Sequence, residues 1–159
     1  MRRDAFCALL LTIGFTAIVF VNNSYVVFGP RFLHETFDLD MLRAGTYAML
    51  FHHAAALVGV LIGGPLSDAM ALNVAGARLR IQTVAMFLGA AAIVYMGLAS
   101  TVWGACVGMS LFGLFRGFYE SNTHASLFEV IEPKYRASAV GAMVMAAFLV
   151  GGSAPLVMG

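Results

Sequence analysis

Residues 102–128 read VWGACVGMSLFGLFRGFYESNTHASLF, an apolar run that contains the polar segment RGFYESNTH at residues 116–124. At helical spacing Arg116, Glu120 and His124 fall on one stripe, with Tyr119 beside them. An arginine inside a membrane helix costs about 3 kcal/mol on insertion scales, so it faces a bundle interior or a wet cavity rather than lipid. The stretch therefore predicts that Arg116 and Glu120 meet inside a bundle of membrane helices.

The composition of the whole chain is that of a membrane protein. Its 159 residues are 61% hydrophobic and only 11% charged, whereas a soluble domain has about 25% charged residues. The formal net charge of +1 gives no indication of nucleic-acid binding. The two cysteines, Cys7 and Cys106, lie in apolar runs at a spacing that fits no metal site, so we expect neither a metal nor a cofactor.

Four further apolar runs accompany this stretch, and each is close to the roughly 20 residues that cross the hydrocarbon core. Because lipid offers no partner to open backbone groups, all five should be α-helices. The predicted helices cover residues 5–28, 45–66, 81–99, 102–128 and 137–158. Pro30 is expected to end the first helix, and a polar loop is expected over residues 30–43. The predicted fold is all-α, a polytopic transmembrane helical bundle that forms a single domain.

Basic residues in the connections predict the orientation of the chain. If the N-terminus is cytoplasmic, six basic residues fall inside and two fall outside, which obeys the positive-inside rule. The inner set is Arg2, Arg3, Arg78, Arg80, Lys134 and Arg136, and the outer set is Arg31 and Arg43. We therefore expect a multi-pass protein of the cell (inner) membrane with a cytoplasmic N-terminus.

Small residues recur at four-residue spacing in three pairs. The pairs are Gly59 and Gly63, Gly104 and Gly108, and Gly113 and Gly117. Such spacing allows two helix backbones to approach closely. We interpret each pair as a helix-packing contact.

The connections contain motifs of a known family. Gly64-Pro-Leu-Ser67-Asp68 closes the second helix and Gly76-Ala-Arg78-Leu-Arg80 opens the third, and together they resemble the Gly-x-x-x-Asp-x-x-Gly-Arg-Arg loop of the major facilitator superfamily. Pro133-Lys-Tyr-Arg136-Ala-Ser-Ala is similar to the loop two helices later in that family. Gly151-Gly-Ser-Ala-Pro155-Leu-Val-Met-Gly159 is similar to its Gly/Pro-rich packing motif. In this order the motifs resemble one half of a twelve-helix transporter, with five of six helices present.

The sequence departs from the family pattern after Asp68. The family has a glycine and a basic pair soon after this acid, but residues 71–73 are Ala-Leu-Asn and the basic residues follow at Arg78 and Arg80. Degenerate copies of the loop are more usual in the C-terminal half of the family, so the resemblance implies helices seven to eleven. The N-terminal half is the alternative, because Arg116-Gly117 resembles the arginine motif of its fourth helix.

The resemblance implies secondary active transport by alternating access, with the substrate bound near the bilayer midplane. The family's tenth helix lines the central cavity, so Arg116, beside Tyr119, would hold an anionic or polyhydroxylated solute through its forked donors. Glu120 either transfers a coupling proton or orients Arg116, and the sequence leaves both roles open. The expected substrate is a sugar, a sugar acid or an organic anion, transported by proton-coupled symport.

Two other polar groups are candidate substrate contacts. Asn22 and Asn23, near the end of the first helix, offer amide donors and acceptors, although hydrogen bonding between helices explains them equally well. His52 and His53 point about 100° apart around the second helix, so at most one readily faces the cavity. For that histidine, burial with an ordinary hydrogen bond is the alternative to substrate binding.

Four charged residues of the connections are candidate gating residues. They are Asp68, Arg78, Arg80 and Arg136. Asp68 stands at a helix end, where it can pair with Arg78 or Arg80. The resemblance implies a cytoplasmic latch that breaks as the two halves of a transporter rock, and a solvated loop acid is the alternative interpretation.

Other classes of function fit the sequence less well. A membrane-embedded enzyme would need a nucleophile or a metal cluster near one interface, and none stands out, so we expect no enzyme. A non-transporting receptor or assembly subunit is the alternative to a transporter. The expected partners are a small-molecule substrate, the lipid bilayer and the other half of the transporter, of which this chain would be a fragment.

Overall fold

The computed structural model describes residues 2–158, in which helices follow one another through short connections. The order is α1 (Arg2–Phe37), α2 (Met41–Ala71), α3 (Ala77–Gly97), α4 (Val102–Val130), a 3₁₀ turn (Pro133–Tyr135), α5 (Arg136–Gly151) and α6 (Ala154–Met158). Met1 and Gly159 lie outside the described residues, as do the side chains of Arg2 and Arg3 that entered the charge count. Within the described range there is no strand, which confirms the all-α fold class.

Four helical segments of the described chain are long and apolar enough to cross a membrane. They are Ala5–Phe37, Met41–Ala71, Ala77–Gly97 and Pro133–Val157. The fourth predicted span, α4, has 29 residues and is long enough, but it is not in this set. Its apolar run is interrupted by Arg116 and Glu120, whose charges lower the hydropathy of the helix. The polar segment that marks α4 therefore also makes it the least typical membrane helix of the five.

The predicted boundary at Pro30 is wrong. α1 continues through this proline to Phe37, so the polar loop predicted over residues 30–43 shrinks to residues 38–40. Proline removes one helical hydrogen bond, but membrane helices tolerate it because neighbouring groups satisfy the freed carbonyl. A proline thus marks the end of a helix in soluble proteins, but Pro30 does not end α1.

Two aspartates fix the actual connection between α1 and α2. Asp38 has a φ of 53°, the left-handed conformation with which many helices end. Asp40 is the N-cap of α2, where its carboxylate accepts a hydrogen bond of 3.1 Å from the backbone N–H of Leu42. α2 consequently begins at Met41, earlier than the predicted residue 45.

The other helix ends also differ from the predictions. α2 continues past Pro65 to Ala71, and α3 begins at Ala77 rather than at residue 81. The fifth predicted helix, residues 137–158, is divided into α5 and the short α6 by a turn at Gly152 and Ser153.

The chain divides into two compact units, one formed by Met1–Val27 with Thr123–Gly159 and the other by Phe28–Asn122. In the first unit, large apolar side chains of α1 are buried together with Leu127 of α4 and Met143 and Ala147 of α5. A Cβ placed on Gly151 would lie 2.7 Å from Cγ1 of Val19, so α5 packs closely on α1 at this point.

In the second unit, α2 and α4 meet along a seam of glycines. A Cβ on Gly113 would collide with the carbonyl of His52, one on Gly117 with the carbonyl of Ala56, and one on Gly59 with the carbonyl of Leu114. The two backbones are therefore in direct contact, which is the role that the four-residue spacing predicted. We call the contact formed by Gly59, Gly63, Gly113 and Gly117 the glycine seam.

Candidate functional site

The glycine seam places the polar part of α4 against α2. Arg116 lies between Gly113 and Gly117, and its side chain is 14% exposed, while that of Glu120 is 31% exposed. Nε of Arg116 donates to Oε1 of Glu120 at 3.0 Å, and Nη2 donates to the same oxygen at 2.5 Å. The predicted pairing of the two residues is thus present, with one edge of the guanidinium turned to the carboxylate.

His52 is the third member of this cluster. Its side chain is completely buried, and Nη1 of Arg116 lies 3.1 Å from Nε2 of the imidazole. Because a guanidinium only donates hydrogen bonds, Nε2 is the acceptor, and His52 is the neutral tautomer with its proton on Nδ1. The ring also lies against Phe112, with the two centroids 5.1 Å apart. Arg116 is therefore held from two sides, by a carboxylate and by a neutral imidazole.

The structure distinguishes between the two adjacent histidines. His52 faces the seam, whereas His53 is exposed. The two imidazole rings meet edge-on, with their centroids 4.9 Å apart. This agrees with the expectation that at most one of them points inward. A substrate contact for either residue stays a prediction.

Tyr119 and Gln82 mark the contact of α4 with α3. Tyr119 is buried, and its backbone oxygen accepts a hydrogen bond of 3.4 Å from Nε2 of Gln82, which is 3% exposed. Sequence reasoning did not select Gln82, although a lone glutamine in the apolar third helix is a visible signal. Asn122, one turn after Phe118, is likewise buried, and its Nδ2 donates to the Phe118 oxygen at 2.9 Å.

The remaining residues of the predicted substrate set belong to the first compact unit. Asn22 and Asn23 are half-buried on α1, and Nδ2 of Asn23 lies 3.3 Å from the position of a Cβ on Gly151. Asn23 thus borders the contact between α1 and α5. His124, the last member of the predicted stripe, is exposed, and its ring meets Phe15 edge-on at 6.4 Å.

Two of the four candidate gating residues are paired with each other. Nη2 of Arg78 donates to Oδ1 of Asp68 at 2.6 Å, joining the end of α2 to the start of α3. Arg80 borders an apolar groove instead. Arg136 donates from Nη2 to the carbonyl of Phe128 at 3.0 Å, where it satisfies a terminal carbonyl of α4. The latch itself stays a prediction, and the structure supplies one ion pair suited to it.

Among the described residues, no group of three or more His, Cys, Asp or Glu side chains is arranged to hold a metal ion. The polar cluster between α2 and α4 consists instead of one cation, one carboxylate and one neutral imidazole. Such a set can bind a charged or hydroxylated solute and can take up or release a proton.

Comparison with protein families gives one result that covers nearly the whole chain. A family model described as Major Facilitator Superfamily matches residues 1–155. The matched range includes α1 to α5 and all the site residues described above. Comparisons with curated proteins and with solved structures gave no significant match.

Proposed function

Because the chain belongs to the Major Facilitator Superfamily, whose members are membrane transporters and not enzymes, we propose that it forms part of a secondary active transporter of a small polar organic solute. Transport would proceed by alternating access around a site near the bilayer midplane. The observation that supports this proposal is the Arg116–Glu120 pair with His52, set within the long helix α4.

The position of Arg116 favours a functional role over a purely structural one. A buried ion pair is a costly way to hold two helices together, because both charges lose their hydration. The glycine seam already joins α2 and α4 through backbone contact, so packing does not require the pair. Both side chains also remain partly exposed, which leaves them accessible to a solute. Ionisable residues at such positions in membrane helices commonly mark substrate or proton pathways.

The hydrogen bonds of Arg116 favour an organic anion or a sugar acid among the three expected substrate classes. Nε and Nη2 form the edge of the guanidinium that matches a carboxylate, and in this structure Glu120 occupies that edge. A substrate carboxylate would bind in the same place and would have to displace Glu120. A neutral sugar has no carboxylate to match this edge, so it would leave the Arg116–Glu120 pair in place.

Charge balance then couples the solute to a proton. Arg116 and Glu120 together are neutral, and the addition of a substrate carboxylate would leave one uncompensated negative charge in a poorly solvated site. Protonation of Glu120 removes that charge and at the same time frees the edge of Arg116. One proton per carboxylate therefore keeps the site neutral in both states. We propose this exchange of Glu120 for the substrate as the basis of symport.

His52 has the role of a positioning residue in this scheme. Its Nε2 binds Nη1 of Arg116 and leaves the Nε–Nη2 edge free to change partners. The guanidinium thus keeps one fixed contact while the carboxylate opposite it is exchanged. Asn22, Asn23 and Tyr119 are proposed as further substrate contacts, with hydrogen-bonding groups suited to hydroxyls.

We also propose a cytoplasmic N-terminus in the cell (inner) membrane, which the distribution of basic residues supports. In this orientation Asp68 and Arg78 lie on the cytoplasmic side, together with Arg80 and Arg136. The Asp68–Arg78 pair would latch that side, and the other half of the transporter would complete the substrate pathway.

The test is solute uptake by the full-length protein in proteoliposomes, with labelled organic anions, sugar acids and sugars offered separately. Arg116→Ala should abolish uptake of the carboxylates. Arg31→Ala is the matched control, because Arg31 and Glu35 form an i,i+4 pair of the same kind that is largely exposed. Normal uptake by Arg116→Ala would contradict the proposed site. If the wild type takes up no solute but binds a carboxylate in an Arg116-dependent way, the receptor or assembly-subunit alternative is correct.

A further inference from the structure

The second compact unit contains an apolar groove that the proposed transport site does not use. Its volume is about 260 Å³, and eight of its nine lining residues are apolar. Met70 of α2, Val84 and Leu88 of α3, and Phe115 and Phe118 of α4 form most of the wall. The groove opens outward, since the side chains of Val84 and Leu88 are 56% and 43% exposed. An apolar opening of this kind can accommodate an acyl chain.

One end of the groove is charged. Arg80 is the only charged lining residue, and it lies in the first turns of α3, near one end of the candidate membrane span Ala77–Gly97. From Arg80 to Leu88 the wall follows α3 for eight residues, or about 12 Å along the helix axis. An arginine in this place can lay its methylene groups along the apolar wall and keep the guanidinium in the headgroup layer.

The charge of Arg80 is not neutralised by the chain as described. Its neighbour Arg78 is paired with Asp68, but among the side chains that the structure describes, those of residues 5–157, no salt bridge joins Arg80 to a carboxylate. The N-terminus of α3 adds a partial positive charge near the same end of the groove. The groove therefore combines an apolar channel with a cationic mouth, which is the complement of an amphiphile with a negative headgroup.

We propose that this groove binds one anionic phospholipid of the surrounding bilayer, with its phosphate at Arg80 and an acyl chain along Val84, Leu88 and Phe118. Basic pockets between membrane helices are known to bind the headgroups of anionic lipids. Charge complementarity selects a lipid over a further helix, because a helix would need an acidic residue opposite Arg80. The bound lipid would fill the space between α2, α3 and α4 without touching Arg116 or Glu120.

Lipid binding to the full-length protein can be measured by native mass spectrometry after detergent extraction. The probes are phosphatidylglycerol and phosphatidylcholine with identical acyl chains, added separately and as a mixture. Wild type should retain one phosphatidylglycerol in preference to phosphatidylcholine. Arg80→Gln should reduce that preference about fivefold, the size expected for one basic residue near an anionic headgroup. Arg80→Lys should keep most of it, because the charge is preserved.

Two further variants distinguish lipid binding in this groove from non-specific attraction of anionic lipids to basic residues. Arg43→Gln removes an exposed arginine near the start of α2 and should leave the lipid preference unchanged. Val84→Trp fills the groove at an exposed position and should weaken the binding of both lipids. The proposal is overturned if Arg80→Gln and Arg43→Gln reduce the preference equally, or if Val84→Trp binds both lipids as wild type does. It is also overturned if wild type retains no lipid, which would indicate that another segment of the full protein covers the groove.

Discussion

Gly113 lies so close to the backbone of His52 that a Cβ at the glycine would overlap the histidine carbonyl. Arg116 follows three residues later on α4 and donates a hydrogen bond to the side chain of the same histidine. The seam that joins the two helices and the charged cluster are therefore parts of one contact. A change in the spacing of α2 and α4 should move Arg116 relative to His52.

The first prediction concerns this spacing. Gly113→Ala should destabilise the protein by about 1–3 kcal/mol, the usual cost of overpacking a tight contact, because the opposing carbonyl cannot move aside. Gly64→Ala is the control, since a Cβ on Gly64 meets nothing within 4 Å. It should leave stability unchanged or raise it by up to about 1 kcal/mol. Thermal unfolding of the purified protein in detergent measures both, and equal Tm values for the two variants would contradict a tight seam.

The second prediction concerns the two histidines. His52→Phe keeps an aromatic ring next to Phe112 but removes the acceptor of Nη1 of Arg116. We expect a loss of about 1–3 kcal/mol of stability, the cost of leaving a buried donor unsatisfied, together with a higher KM for the substrate.

His53→Phe is the control for that variant, because His53 is exposed and lies outside the Arg116 contact. It should change stability and KM little. If His53→Phe proves more harmful than His52→Phe, the assignment of the inward-facing histidine is wrong. Unfolding curves and uptake kinetics, measured on the same preparations, give the comparison.

The third prediction separates charge from geometry at Arg116. Arg116→Lys preserves the positive charge but cannot present two parallel N–H donors to a carboxylate. The loss of one charge-assisted hydrogen bond should raise the KM of a carboxylate substrate roughly tenfold to a hundredfold. Uptake kinetics of the best carboxylate measure the effect, with expression and monodispersity as controls. A KM equal to that of wild type would show that the substrate does not use the forked edge.

The fourth prediction concerns the proposed latch. The Asp68 side chain is 67% exposed, so its ion pair with Arg78 should contribute only about 0–1 kcal/mol to stability. Asp68→Asn should therefore leave Tm almost unchanged but alter the rate of transport. Glu132→Gln breaks the pair with Lys134, in which the carboxylate is as exposed as that of Asp68, and serves as the control. A transport rate unaffected by Asp68→Asn would identify the pair as an ordinary surface contact.

Part of this arrangement follows directly from the sequence. The i,i+4 spacing of Arg116 and Glu120 predicts their pairing, because helix geometry alone brings such residues together. The glycine spacing likewise predicts close helix contact. The choice of His52 over His53 could not be predicted, since it depends on the rotation of α2 against α4, which is a property of packing between helices distant in sequence.

The errors have physical causes as well. The sequence predicts a helix end at Pro30 because proline breaks soluble helices, whereas α1 continues to Phe37. Arg78 and Arg80 were equivalent candidates for Asp68 in the sequence. The turn at Gly76, which has a φ of 69°, sets the start of α3 and brings Arg78 to the aspartate, while Arg80 borders the groove. Backbone geometry of this kind is not encoded in residue spacing alone.

We propose that the Nε–Nη2 edge of Arg116 exchanges Glu120 for a substrate carboxylate when Glu120 takes up a proton. Glu120→Gln imitates the protonated residue permanently, and it is tested by two assays in proteoliposomes, carboxylate counterflow and accumulation driven by a pH gradient. We expect the variant to retain counterflow and to lose gradient-driven accumulation. Accumulation driven by the pH gradient as in wild type would contradict it, because Glu120 would then not be the residue that couples the proton.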